Sequence, residues 1–409
     1  MNAGDTGFMV ICTALVFIMT PGLALFYAGL GRRKNAVSNM MNSIFILGLC
    51  IVLYVLVGYS LSFSGGGSFI GSLQNFALNG ITLDDNSGSI PTFVFVAFQM
   101  MFALITPAII TGSIAGRMRF KALFIFIGLW SIIVYYPLAH MVWGGGFIGG
   151  TLGALDFAGG DVVHISSGTT GLVLAILLGK RIGYDQMSYR IHNIPFIVLG
   201  MALLWFGWFG FNAGSALAAN GLAGHAFLTT AISAGAALLM WMIIDVIKQG
   251  KPTLIGACTG VIAGLVGITP AAGFVSMQAA LIIGLTVPIA CYFGISLIKK
   301  VFKIDDSLDA FGCHGIGGIW GGLMTGVFVD PTLNLNQGVP GLIAGDFTQF
   351  KAQVLGILIT LVVVVVGTLV CAGITRLFTT LRVERKDELV GLDITQHGEN
   401  AYPAFLGLD

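Results

Sequence analysis

Long apolar runs, each about as long as a membrane-spanning helix, divide the sequence and leave mostly short polar segments between them. A helix of about 20 apolar residues crosses the hydrocarbon core of a bilayer. Only 9% of the residues are charged, against roughly a quarter in soluble proteins, which disfavours soluble enzymes and nucleic-acid-binding proteins. We therefore predict an all-α, polytopic membrane protein. Its eleven predicted spans lie near residues 8–31, 41–63, 92–114, 121–143, 162–180, 194–216, 224–247, 253–271, 276–298, 310–329 and 353–379.

The basic residues support this division because Lys and Arg collect in cytoplasmic loops. Eighteen of the 19 lie in alternate segments, after spans 1, 3, 5, 7, 9 and 11, and only Lys351 falls on the other side. We predict a multi-pass protein of the cell (inner) membrane with its N-terminus outside and its C-terminus in the cytoplasm.

Two pairs of short strings recur in the same order along the chain. ALFYAG in span 1 resembles FGFNAG in span 6, and ITPA occurs in both span 3 and span 8. An odd number of spans per repeat turns the second copy upside down. The predicted organisation is a transmembrane domain at 1–380, containing inverted five-span repeats at about 1–190 and 191–330 and an extra helix at 353–379, followed by a cytoplasmic tail at 381–409.

Ionisable residues within the spans are the candidate functional groups, because a charge at bilayer depth is costly and usually faces a cavity or a partner. His164 in span 5 and His314 in span 10 each follow an aspartate, Asp156 or Asp309, and each closes one repeat. The two-fold axis would bring the imidazoles together, although a hydrogen-bonded core role stays open. Asp156 can hold the first turn of span 5 or take part in proton transfer.

Other reactive residues give no enzyme signature. All six cysteines lie in apolar spans without a CxxC pair, which argues against a disulfide framework or a zinc site and favours packing. The sequence has no HExxH, GxSxG or Walker A pattern. We expect no enzyme activity, no metal and no cofactor. Glycines at helical spacing, such as Gly256, Gly260 and Gly264, indicate close helix packing.

Aromatic residues supply the components of a cation site at the outer ends of two spans. Trp143 and Ser215 both lie at such ends, where a ring face and a hydroxyl can hold a small cation. His140 has no counterpart in the other repeat, and we expect it to be structural. Further aromatics are candidates near the pore or for packing: Phe98, Phe102, Trp205, Phe206, Trp208, Phe209 and Phe211.

The sequence closely resembles the ammonium transporter family, called Amt or Mep, with the Rhesus proteins as a distant branch, and in particular its bacterial and archaeal Amt-type members. The matching strings run in family order from span 1 to the C-terminus: PGLALFYAGLGRRKNAVS, AHMVWGGG, DFAGGDVVHISSG, GWFGFNAGSA, GACTGVIAGLVGITPAAG, DAFGCHGIGGIWGG and GLDITQHGENAY. One departure is Asp161, where the family more often has a small hydroxyl residue.

The resemblance implies a transporter of ammonium, and possibly of methylammonium, built as a homotrimer with one hydrophobic pore per subunit that conducts ammonia. It also implies that a PII-type regulatory protein docks on the cytoplasmic tail. Residue by residue, Trp143, Ser215 and Phe102 match the site that recruits ammonium, Phe102 and Phe211 the phenyl gate, Phe98 and Trp208 its neighbours, His164 and His314 the twin histidines, and Asp156 the aspartate near the outer site.

One alternative stays open, namely an ammonium sensor that signals through a cytoplasmic partner. A sensor on this scaffold would usually carry an appended signalling domain, whereas only about 30 residues follow the last predicted span here.

Overall fold

The computed structural model describes residues 1–184, 190–333 and 339–402 and is almost entirely helical. Within the described residues, two strands of two residues each, Asn86–Ser87 and Ile90–Pro91, pair in antiparallel orientation. The α-helices are α1 (Ala3–Leu30), α2 (Ala36–Leu53), α3 (Tyr59–Phe63), α4 (Thr92–Ile114), α5 (Phe120–Trp130), α6 (Tyr136–Val142), α7 (Ser166–Leu178), α8 (Ile194–Gly214), α9 (Gly221–Gln249), α10 (Leu254–Ile268), α11 (Met277–Ser296), α12 (Ile316–Phe328), α13 (Thr348–Phe378) and α14 (Arg385–Val390).

Several short segments of π-helix extend or join these helices. Tyr54–Gly58 joins α2 to α3, Ser131–Tyr135 joins α5 to α6, and Leu297–Val301 extends α11. The segments Gly160–Ile165 and Phe311–Gly315 lead into α7 and α12, and they carry His164 and His314. Such segments are frequent at functional sites.

The prediction of an all-α, polytopic membrane protein is confirmed. Within the described residues, nine helices are long and apolar enough to cross a membrane. The remaining predicted spans, 253–271 and 310–329, correspond to the shorter helix α10 of 15 residues and to α12 of 13 residues with its preceding π-segment. The count of eleven therefore stays a prediction.

Polar side chains fix where the helices begin. Asn2, Asn193, Asn220, Thr253 and Ser276 each precede a helix and accept a hydrogen bond from a backbone N–H of its first turn. These N–H groups have no partner within the helix, so a capping side chain stabilises each start by about 1 kcal/mol. Capping matters more in a bilayer, because lipid offers no replacement donor or acceptor.

Close helix contacts occur where the sequence places small residues, as predicted. A methyl group added at Gly260 would lie 2.7 Å from the Ala237 carbonyl oxygen, and one at Gly264 would lie 2.7 Å from the Ser233 carbonyl oxygen. These glycines let α10 pack directly against the backbone of α9. The six cysteines are all buried and free, as expected for packing residues.

The segment after α13 packs against the predicted first repeat. The buried Glu388 carboxylate accepts hydrogen bonds from the Ile182 N–H at 2.6 Å and from Arg382 at 2.7 Å. Asp393 accepts one from the Ser38 N–H at 2.8 Å. The described part of the predicted tail is thus held against the helical domain, while residues 403–409 lie outside the described residues.

The closest crossing near the two histidines depends on Gly168 in α7. A methyl group there would come within 2.7 Å of the Gly315 Cα and would also meet the Gly315 amide nitrogen. Both partner atoms belong to backbone, which cannot rotate away. The crossing therefore fixes the separation of the two segments that carry His164 and His314.

We predict that Gly168→Ala destabilises the protein by roughly 1–3 kcal/mol, because overpacking forces these backbones apart. Gly235→Ala is the matched control, since a methyl group at Gly235 in α9 meets nothing within 4 Å. Thermal unfolding of the purified protein in detergent measures the difference. Equal unfolding temperatures for the two variants would contradict the proposed tight crossing.

Candidate functional site

Asp156 anchors the start of the segment that carries His164. Its carboxylate accepts hydrogen bonds from the N–H groups of Gly159 at 2.7 Å, Gly160 at 2.6 Å, Asp161 at 2.8 Å and Val162 at 3.4 Å. A carboxylate in this position satisfies the free amides of the helix start and interacts favourably with its dipole. These contacts match the structural role predicted for Asp156.

The counterpart of Asp156 in the second half is Asp306. Its carboxylate accepts hydrogen bonds from the N–H of Phe311 at 2.9 Å and of Gly312 at 3.3 Å. His314 follows Asp306 by eight residues, the same separation as between Asp156 and His164. The pairing of Asp156 with Asp309 was wrong, because Asp309 instead forms an ion pair with Lys299 at 2.6 Å. The equal spacing to the histidines is the sequence signal that could have identified Asp306.

The two histidines meet in the interior. Their Nδ1 atoms lie 3.2 Å apart, and the side chains are 1% and 4% exposed for His164 and His314. The distance is that of a hydrogen bond, so one ring donates and the other accepts. The Nε2 atom of His164 is buried without a protein partner. A polar atom of this kind is available to a passing ligand.

A column of aromatic rings leads from the histidines towards the predicted outer face. Trp208 stacks on His164 with ring centroids 5.3 Å apart, and its indole N–H is fixed by the Thr269 hydroxyl at 2.9 Å. Phe211 also lies parallel to His164, at 6.2 Å. Phe102 contacts Phe211 at 4.3 Å with a tilt of 36°. The Phe102 and Phe211 side chains are both almost completely buried.

Trp143 and Ser215 lie at the far end of this column. Trp143 contacts Phe102 edge to face at 5.8 Å, and its indole N–H donates to the Asp156 carbonyl oxygen at 2.9 Å. The Ser215 hydroxyl donates to the Phe211 carbonyl oxygen at 2.9 Å. Both residues immediately follow a helix end, Trp143 after α6 and Ser215 after α8. Each is only partly buried.

Not every aromatic candidate joins the column. Phe98 does, since its ring lies 5.0 Å from that of Phe102. Phe209 instead stacks on Phe227 at 4.1 Å, and Phe206 is 58% exposed. His140 is held between the carbonyl oxygens of Ser62 and Gly67, at 3.1 and 2.7 Å, in keeping with the expected structural role.

A cavity of about 260 Å³ reaches the histidines from the side opposite Trp143. Its inner end is lined by apolar side chains together with Trp208, Phe211, His164 and His314. Its other end is lined by charged side chains, Arg32, Arg181, Arg190, Lys299 and Asp309. Neither Phe102 nor Trp143 lines the cavity. The contact between Phe102 and Phe211 therefore separates the cavity from the site around Trp143.

A buried ionic cluster lies beside the charged end of the cavity, which Arg181 also lines. Asp305 accepts hydrogen bonds from the Arg181 backbone and guanidinium, the shortest at 2.6 Å, and lies 3.5 Å from Arg117. Burial alone would raise the pKa of Asp305, but the two guanidinium groups hold it below its ordinary value. Burial lowers the pKa of Arg117 to about 10, so both partners are charged at neutral pH. Such a cluster depends on tertiary contacts, and nothing in the local sequence marked it.

Comparison with known proteins identifies the family. The model of the Ammonium Transporter Family matches residues 7–402. The chain belongs to the ammonium transporter family. It is 50% identical to the ammonium transporter of Bacillus subtilis over 404 residues, which cover 98% of this chain and 99% of that protein.

Solved structures of the ammonium transporter family share the fold. The crystal structure of Saccharomyces cerevisiae Mep2 superimposes with a TM-score of 0.87 at 37% identity, covering 94% of this chain and 91% of Mep2. A structure named Sensor Amt Protein gives a TM-score of 0.88 at 30% identity, covering 96% of this chain and 98% of that one. One scaffold thus occurs in proteins named for transport and in one named for sensing.

Proposed function

We propose that this member of the ammonium transporter family recruits ammonium at Trp143, Ser215 and Phe102, removes a proton and conducts ammonia past His164 and His314. The observation that carries the proposal is the facing pair of buried imidazoles behind two closed phenyl rings. This arrangement places hydrogen-bonding nitrogens at the end of an otherwise apolar passage. Methylammonium is a second candidate substrate because it shares the cationic head.

Selectivity follows from solvation. Ammonium and potassium are similar in size, so a ring of oxygens replacing the hydration shell would separate them poorly. An apolar passage excludes both ions, because desolvating an unpaired charge is very unfavourable, while it admits neutral ammonia. Only ammonium has a proton to lose. Deprotonation is therefore the step that discriminates.

The outer residues are suited to hold the cation before that step. The Ser215 hydroxyl gives its hydrogen to the Phe211 carbonyl, so its remaining lone pairs can accept an N–H from ammonium. Trp143 and Phe102 offer aromatic surfaces for cation–π attraction. Asp156 supports this site through its carbonyl oxygen, which fixes the Trp143 indole, and its carboxylate adds negative charge nearby. We propose that Asp156 stabilises the cation electrostatically and favours its approach.

The hydrogen count at the histidine pair suggests how ammonia is handled. One hydrogen lies between the two Nδ1 atoms, so neutral rings leave one Nε2 as a donor and the other as an acceptor. Ammonia can accept from the first and donate to the second. The same pair can carry a proton if a hydrogen moves along it. The lumen thus stays dry without leaving ammonia unpaired.

We also propose the membrane setting and assembly that the family resemblance implies. The basic residues favour an outside N-terminus and a cytoplasmic C-terminus in the cell membrane. In this orientation the cavity lined by Arg32, Lys299 and Asp309 opens to the cytoplasm. The assembly is a homotrimer with one pore per subunit. The tail at 381–409 is the proposed docking segment for a PII-type regulatory protein, since it contacts the first repeat at Ile182 and at Ser38 in the first turn of α2.

Transport is favoured over sensing by the shape of the passage. A sensor needs a binding site, whereas the cavity here extends from the histidines to charged residues at the opposite end. A passage that continues beyond the binding site serves translocation. The structure named as a sensor shares the helical scaffold, and that scaffold is common to both functions.

For the outer site, we predict that Trp143→Leu and Ser215→Ala each weaken the apparent affinity for ammonium while the protein still assembles. Losing a cation–π contact costs about 1 kcal/mol, or about fivefold in affinity. Trp320→Leu is the control, because the Trp320 indole bonds Thr286 away from the column. Saturation of methylammonium uptake in proteoliposomes measures the effect. Parental saturation curves for both outer-site variants would place recruitment elsewhere.

For the histidine pair, we predict that His164→Ala, His314→Ala and the double variant fold but transport ammonium far less or admit potassium. Each single change leaves a buried ring nitrogen unpaired at a cost of roughly 1–3 kcal/mol, small beside the cohesion of the helical domain. The enlarged lumen can also take up water. The measurement is ammonium flux and potassium leakage per folded molecule, with His225→Ala as the control because His225 bonds the Val275 carbonyl outside the column.

The opposite pattern would contradict this role for the histidines. If they only pack the core, the variants assemble poorly, yet the molecules that do fold transport ammonium like the parent and exclude potassium. Normalising flux to the amount of folded protein separates the two results.

A further inference from the structure

An ion pair stands at the charged end of the cavity, and the transport steps described above do not use it. The Lys299 Nζ atom lies 2.6 Å from a carboxylate oxygen of Asp309, and the side chains are 29% and 30% exposed. Both residues line the cavity that ends at His164 and His314. Asp309 is five residues before His314 in the sequence, and it lines the charged end of the same cavity.

Asp309 is not needed to hold the helix that carries His314. That role belongs to Asp306, whose carboxylate accepts the free N–H groups of Phe311 and Gly312. Asp309 also adopts a left-handed backbone conformation with φ of 59°, which is uncommon for residues other than glycine. Strained residues of this kind concentrate at functional sites. The strained backbone of Asp309 and its carboxylate, which caps no helix, therefore need a different explanation.

The chemistry of the pair matches that of the substrate. Among the described residues that line the cavity, Asp309 supplies the one carboxylate, and a carboxylate is the natural partner of an ammonium ion. The side chain of Lys299 ends in a primary ammonium group with three N–H donors. It is thus an ammonium ion tethered to the protein, bound where a free one would bind.

We propose that Asp309 is an inner cation site that Lys299 keeps occupied, so that ammonium formed in the cytoplasm does not bind at the exit and hinder release. This inference rests on the transport function and orientation proposed above. Arg32 and Arg190, which line the same end of the cavity, add positive charge that also disfavours a returning cation. The outer site has no such tethered cation among its described contacts. The charged end of the cavity therefore has a lower apparent affinity for ammonium than the outer site around Trp143.

The test compares inhibition of transport from the inside. The protein is oriented in proteoliposomes so that the charged end of the cavity faces the vesicle interior. The vesicles are loaded with increasing concentrations of unlabelled methylammonium, and the initial influx of radiolabelled methylammonium is measured. Lys299→Met keeps the apolar stem but removes the charge and the donors. We expect the internal concentration that halves influx to fall about fivefold, the upper range for loss of a partly exposed ion pair.

Two further variants make the result specific. Lys300→Met removes the same charge from the adjacent exposed residue, which does not line the cavity, and should leave the half-inhibitory concentration unchanged. Lys299→Met combined with Asp309→Asn removes the carboxylate as well. This double variant should have a half-inhibitory concentration at least as high as that of the parent protein. Lys299→Gln serves as a second test of the same loss if the methionine variant does not fold.

The outcomes separate this inference from the proposed function. If Lys299→Met and Lys300→Met respond equally to internal methylammonium, or if the double variant stays as sensitive as Lys299→Met, the inner-site proposal is overturned. If the parent protein, without internal methylammonium, takes up neither labelled methylammonium nor ammonium, transport itself is refuted instead. Stronger inhibition that appears only in Lys299→Met and is cancelled by Asp309→Asn supports the tethered-cation site.

Discussion

The proposed passage depends on the hydrogen bond between His164 and His314. Two polar rings are buried among apolar helices with their Nδ1 atoms 3.2 Å apart. Without this hydrogen bond, each Nδ1 would be a buried polar atom that has lost its partner, which is energetically costly. Their positions are fixed by three independent devices. Asp156 and Asp306 hold the two helix starts, Trp208 stacks on one ring, and Gly168 allows the two backbones to touch.

This interaction explains how the proposed passage can contain a polar pair and still be dry. The rings satisfy each other through Nδ1, so water is not required to stabilise them, and their Nε2 atoms remain available to a small ligand. The phenyl rings of Phe102 and Phe211 shield the pair on one side, while the cavity gives access on the other. A chain of this composition can build such a passage because small residues let the helices approach without a large central pore.

Much of this arrangement could be predicted from the sequence, since the relevant signals are local or repeated. Hydropathy and basic residues indicated the membrane fold, and matched positions in two repeats indicated that His164 and His314 meet. The sequence placed Asp156 at a helix start because a carboxylate there satisfies free amides. Asp309 was predicted as the second aspartate, whereas Asp306, which has the same spacing to its histidine as Asp156, holds the other helix start. The contacts of Arg117 and Arg181 with Asp305 join segments far apart in the chain, so no local pattern could reveal them.

We propose that loss of a proton, and not ion size, allows this protein to select ammonium over potassium. Solid-supported membrane recordings on proteoliposomes test it most directly, with equal pulses of ammonium and potassium and with internal pH followed in parallel. We expect a saturable, protein-dependent response to ammonium in the current or in the internal pH, and no protein-dependent current with potassium. A potassium current comparable to the ammonium response would contradict deprotonation as the selective step.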